Sequence, residues 1–127
     1  MTRTSLNESQ VLILGDHQRH QIESLLERMD YTPIVRGSVE HCLELLRIRF
    51  FFAVFIDRNF TQADVLEFVL NVRDLDCDVP VIVIGRSEDA EFDCKIQQQG
   101  HVTFVDRCEE IESSIHDLRP MLGAIPV

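Results

Sequence analysis

Two stretches of the chain are apolar without alternation. Phe50-Phe51-Phe52-Ala53-Val54-Phe55-Ile56 runs up to Asp57, and Pro80-Val81-Ile82-Val83-Ile84 runs up to Gly85. Such runs suit strands covered on both faces, as in a parallel sheet. Val11 to Leu14, closed by Gly15-Asp16, predicts a shorter strand of the same kind, and Val102 to Val105 predicts another. Pro33-Ile34-Val35 predicts a strand near an edge, where a residue without an N–H is tolerated.

Between these runs the apolar spacing changes from continuous to helical. A helix is expected from Gln18 to Met29, with Ile22, Leu25, Leu26 and Met29 on one stripe, ended by Tyr31-Thr32-Pro33. The next starts at Ser38, a good N-cap, and turns Val39, Cys42, Leu43 and Leu46 inward. A third, over 63–74, aligns Val65, Phe68, Val69 and Val72. The segment from Ser87 to Gln99 is a weaker helix, since Ala90, Phe92, Cys94 and Ile96 form no clean stripe; Gly100 suits its C′ position. The last helix, from Glu109, carries Ile111, Ile115 and Leu118 inward and stops near Pro120. Its acidic run Glu109-Glu110-Ile111-Glu112 is accounted for by the helix dipole. Strand and helix alternate five times, which predicts an α/β fold with a parallel sheet, helices on both faces and right-handed crossovers.

With 127 residues, 45% hydrophobic and 27% charged, the chain is expected to form one soluble domain with its own core. Its 12 basic and 22 acidic residues give a net charge of −10. That balance repels phosphate backbones and anionic lipid, so no direct nucleic-acid or membrane binding is expected. Cys42, Cys77, Cys94 and Cys108 stand far apart with no C-x-x-C pair, which reads as reduced and mostly core thiols in a cytoplasmic protein. Met1 to Gln10 is polar and lacks the apolar block of a signal peptide. The expected divisions are a polar tail over 1–9, one domain over 10–119 and a linker stub over 120–127.

Ligand chemistry in open α/β sheets collects beyond the carboxyl ends of the strands, and Asp57 stands there. If the strand order is 2-1-3-4-5, the crevice opens between strands one and three, with Asp16 beside Asp57. Two carboxylates in one crevice suit a hard divalent ion such as Mg²⁺, and one of them could serve as a nucleophile in phosphoryl transfer. Equally, Asp16 could cap the first helix while Asp57 forms the turn before Asn59. The spacing alone leaves both readings open.

These residues resemble the receiver domains of bacterial response regulators, the CheY-like family, over about residues 10–119. The similarity rests on Leu14-Gly15-Asp16, Phe55-Ile56-Asp57, Val79-Pro80-Val81-Ile82-Val83-Ile84 and Gly100 with Phe104-Val105. It implies a doubly wound, flavodoxin-like (βα)₅ sandwich of strand order 2-1-3-4-5. It further implies that Asp57 is the phosphoacceptor, that Asp16, Asp57 and the Asn59 carbonyl hold Mg²⁺, and that Phe104 is the switching aromatic. Several positions depart from the family. Gly15 replaces the first of two adjacent acids, which weakens the metal site, and Gly85 replaces a hydroxyl residue that contacts the phosphoryl group. Arg107 stands for a Lys and Cys108 for a Pro, and Arg is not equivalent to Lys at a tight site. Thr61 and Val65 replace the usual Pro and Gly after the acceptor.

The expectation is therefore an atypical receiver that acts through protein contacts, with Asp57 phosphorylation weak, dispensable or absent. The alternative is a conventional Mg²⁺-dependent receiver accepting phosphate from a histidine kinase, with Arg107 pairing the phosphoryl group. A turnover hydrolase is disfavoured because Arg58 follows Asp57 and no general acid or base is spaced for it. Flavin binding is disfavoured because Asp16 stands where a phosphate loop would begin. His17 and His20 read as solvated. The chain is expected to self-associate. Degenerate receivers of this kind also stand before effector domains in enhancer-binding transcription regulators of the FleQ type.

Overall fold

A computed structural model describes residues 9–15, 20–58, 64–85 and 89–106, together with 111 and 113. The elements follow in the order β1 (Gln10–Leu14), α1 (His20–Arg28), β2 (Thr32–Arg36), α2 (Val39–Ile48), β3 (Ala53–Asp57), α3 (Val65–Leu75), β4 (Val81–Ile84), α4 (Ala90–Gln97) and β5 (Val102–Val105). The strands form one five-stranded sheet of order β2-β1-β3-β4-β5. All four pairings are parallel. This is the α/β architecture that the alternating runs predict. Pro33 lies in the edge strand β2, where its missing N–H is harmless.

Side chains alternate across the sheet and divide the core into two layers. Leu12, Leu14, Val54, Ile56, Val81, Val83, Val102 and Phe104 face α2, α3 and α4, meeting Cys42, Leu46, Phe68, Val72 and Ile96. Val11, Ile13, Ala53, Phe55, Ile82, Ile84 and Val105 face the other way, toward Ile22 and Leu26 of α1 and toward Ile111. The expected last helix otherwise falls outside the described residues. So do the linker stub and the polar tail apart from Ser9; within the expected last helix Ile111 is buried and Ser113 exposed.

The caps explain the helix starts. Ser38 accepts a hydrogen bond from the His41 N–H, Asp64 from Glu67, and Asp89 from Glu91 and Phe92. All four apolar residues expected to face inward on α3 are buried. On α4 only Ile96 is fully buried, as its poor stripe implied. That helix ends at Gln98, and Gly100, with φ 85°, takes the turn into β5 in a left-handed conformation suited to glycine.

Two expectations are corrected. The Phe-rich run does not form one strand: β3 begins at Ala53, and Phe50 is exposed. Phe52 is buried against Tyr31, with ring centroids 4.7 Å apart, and its N–H donates to the Gln10 carbonyl. The aromatic residues thus close the amino-terminal end of the sheet instead of lengthening a strand. The cysteines are not mostly core: among the described residues Cys42 is buried, whereas Cys77 and Cys94 are exposed. Cys77 stands just past the end of α3, and Cys94 lies on α4, where Ile96 is the one fully buried side chain.

Burial pushes the Cys42 thiol up to about 12 from its ordinary 9.0, against the opposing pull of the Arg36 charge. An acid whose folded value is raised favours folding while it stays protonated. That stability is complete below pH 9 and is lost as pH rises toward 12. Urea denaturation across this window should show a slope of up to about 1.4 kcal/mol per pH unit attributable to Cys42. Cys42→Ala should flatten it, and an unchanged slope in that variant would refute the assignment.

Candidate functional site

The carboxyl ends of β1, β3 and β4 converge, and Asp57 ends the central strand. It is 1% exposed and is the single buried charged residue among those described. Alternation from Phe55 sends its side chain to the α1 face of the sheet. The register pairs Leu14 with Ile56, which brings Gly15 level with Asp57. A Cβ built on Gly15 would lie 3.7 Å from the Asp57 Cβ and 3.4 Å from Ile13 Cγ2. A Cβ at Gly15 would therefore stand in ordinary van der Waals contact with Asp57. Gly15 is held there by its N–H, which donates to the Arg36 carbonyl at 3.1 Å.

On the other flank, the Gly85 N–H donates to the Val105 carbonyl at 2.8 Å, continuing the β4–β5 ladder one residue past the strand. Its φ is 96°, a left-handed backbone that side chains rarely adopt. A hydroxyl residue cannot be installed here without strain. Gly85→Thr should cost about 1–2 kcal/mol of stability in urea denaturation. A stability equal to that of the unaltered chain would show that the backbone relaxes freely.

Arg58, one residue past Asp57, projects to the opposite face. Its Nη1 lies 2.9 Å from Asp93 Oδ1 on α4, with the two side chains 16% and 15% exposed. Its guanidinium carbon stands 5.6 Å from the centroid of the Phe104 ring, within cation–π range. Phe104 is itself buried. Sequence reasoning noted Arg58 only as an obstacle to hydrolysis. The signal available was a cation directly after a buried strand, but its partner on α4 is distant in the chain and no local pattern marks it.

The structure thus brings together Asp57, Gly15 and Gly85 at the strand ends, with Phe104 on the other face of the sheet. Asp16, Asn59, Arg107 and Cys108 lie outside the described residues, as do Thr61 and His17. Among the described residues no group of three or more His, Cys, Asp or Glu side chains is placed to hold a metal ion. No described helix is long and apolar enough to cross a membrane.

Neither a protein-family model nor a curated protein matches the chain. Solved structures do. A two-component response regulator from Clostridium difficile superimposes with a TM-score of 0.76 at 10% identity, covering 94% of this chain and 99% of that one. The beryllofluoride-activated receiver-domain dimer of NtrC4 gives 0.74 at 18% identity, covering 89% and 98%; NtrC4 is from Aquifex aeolicus. The receiver domain of a Pseudomonas aeruginosa sensor histidine kinase, with magnesium in its active-site cleft, gives 0.69 at 15% identity, covering 91% and 98%. At these identities the likeness shows the fold: the chain has the CheY-like receiver fold.

Proposed function

We propose that the chain is an atypical receiver domain, a regulatory module that works through protein–protein contact and is not an enzyme. The observation that carries this reading is the crevice itself. A buried carboxylate, Asp57, ends the central strand of a receiver fold, while the positions flanking it carry no side chain. The fold supplies the acceptor position; Gly15 and Gly85 withhold an acid and a hydroxyl. Phosphorylation of Asp57 is accordingly weak or dispensable.

A hard divalent ion needs several oxygen ligands. Among the described residues Asp57 is the one carboxylate at the crevice, and Gly15 has no side chain to add another. This donor set fits Mg²⁺ poorly, and Asp16 and the Asn59 carbonyl would have to complete it. In the same reading the domain spans about residues 10–119. It pairs with a second copy of itself, as the NtrC4 receiver does, and it stands alone or precedes an effector domain. A histidine kinase is a partner only if Asp57 is modified. The acidic surface argues against nucleic acid and membrane as direct partners.

Light scattering of the unaltered chain and of Asp57→Asn, each with and without acetyl phosphate and Mg²⁺, tests this reading. All four samples should give the mass of two chains. A single-chain mass throughout would remove the dimer. A mass that changes with acetyl phosphate only while Asp57 is present would establish a conventional phospho-receiver instead.

A further inference from the structure

We propose that Arg58 and Asp93 form an electrostatic latch that seats α4 on the end of β3. The least anchored of the described helices is α4. It has eight residues and one fully buried side chain, Ile96, whereas α3 buries Val65, Phe68, Val69 and Val72. Apolar burial therefore fixes α4 weakly, and a single ion pair weighs more there than it would elsewhere. Arg58 is rooted in the crevice by its own backbone, because its N–H donates to the Ile84 carbonyl at 3.1 Å. From that point its side chain crosses to Asp93 at 2.9 Å and lies over Phe104 of β5. One residue thus joins the end of β3, the first half of α4 and the aromatic side chain of β5.

The pair is largely shielded from water, at 16% and 15% exposure, so its attraction is screened less than a surface pair's. Neither terminal nitrogen of Arg58 makes a directed hydrogen bond among the described residues. The contact therefore relies on charge more than on directed hydrogen bonding. Loss of the pair frees α4 and uncovers Phe104 while the rest of the sheet stays intact. Arg58 is in this sense a positioning residue, and its role does not depend on whether Asp57 is ever phosphorylated.

Amide hydrogen exchange of the whole chain, read peptide by peptide, tests the latch. Arg58→Gln and Asp93→Asn should each speed exchange across residues 92–97 by roughly tenfold, with β1 and β3 unchanged. The double variant should be no faster than either single one, since both remove the same contact. Exchanging the charges, Arg58→Asp with Asp93→Arg, should slow α4 again relative to the single variants. The latch is overturned if α4 exchange is unaltered in both single variants, if their effects add, or if the exchanged pair rescues nothing. Equal acceleration in β1, β3 and α3 would also overturn it, because the pair would then support the whole fold.

Discussion

Replacing Arg73 with Ala should lower the stability of the domain by about 3 kcal/mol, the largest effect expected from any single surface-reaching side chain. Arg73 sits in the last turn of α3, and its guanidinium serves four backbone carbonyls. Nε and Nη2 donate to Gly100 at 3.1 and 2.7 Å, and Nη2 also donates to His101 at 3.2 Å. Nη1 donates to Val79 at 2.7 Å and to Asp76 at 3.2 Å. These carbonyls belong to the end of α3, the approach to β4 and the turn into β5, so one fork ties three segments where the β4–β5 ladder begins with the Val81 N–H donating to the His101 carbonyl. Burial pushes its pKa below the ordinary guanidinium value, while the charges of Asp76 and Asp78 pull it back.

Hydrogen bonds from a charged donor contribute about 1.5–3 kcal/mol each, but the site is half-buried and water replaces part of what is lost. A total near 3 kcal/mol follows, or a melting temperature lower by roughly 10 °C. Arg73→Lys should recover less than half of this, because a point charge cannot serve carbonyls in several directions. Thermal denaturation followed by circular dichroism measures both. A loss below about 1 kcal/mol for Arg73→Ala would show that water satisfies these carbonyls as well as the guanidinium does.

The second large effect is a gain. Gly15→Asp should raise affinity for Mg²⁺ or Mn²⁺ by at least about tenfold, since site charge and ligand number tune affinity for hard cations. A Cβ at Gly15 makes only van der Waals contacts with side-chain atoms of Ile13 and Asp57, so the first atom of the new side chain meets no backbone. It places a second carboxylate next to buried Asp57, and the two acids repel unless a cation lies between them. Without metal the variant should therefore be less stable than the unaltered chain by about 1 kcal/mol. Millimolar Mg²⁺ should reverse that loss, because a ligand bound only by the folded state adds to its stability. Calorimetric titration and melting with and without Mg²⁺ give the two readings. Equal affinities for both proteins would mean that Gly15 is not where the site lost its ligand.

Much of this architecture was legible because parallel strands and amphipathic helices leave different periods in the chain. Val81–Ile84 and Val102–Val105 fell at their predicted places, and α3 buried the four residues its spacing aligned. Asp57 was found at the end of β3 for a general reason: strand ends in open sheets are where side chains converge. Phe50 to Phe52 misled because an aromatic run looks the same whether it extends a ladder or plugs the end of a sheet. That distinction depends on Tyr31 and Gln10, which are remote in sequence. Arg58 and Arg73 were missed for the same reason. Each acts on partners brought near only by the crossovers, and an isolated cation carries no period. The left-handed backbone of Gly85 was also hidden, since the family resemblance implies a missing hydroxyl there and not the conformation that would oppose restoring it.

Asp57 sits either in a functioning phosphoryl site or in one that lacks its supporting side chains. Intact-mass spectrometry of the chain after incubation with acetyl phosphate, with and without Mg²⁺, decides this most directly. The expected result is little or no stable phosphoryl adduct under either condition. A near-stoichiometric, Mg²⁺-dependent adduct that disappears in Asp57→Asn would contradict it.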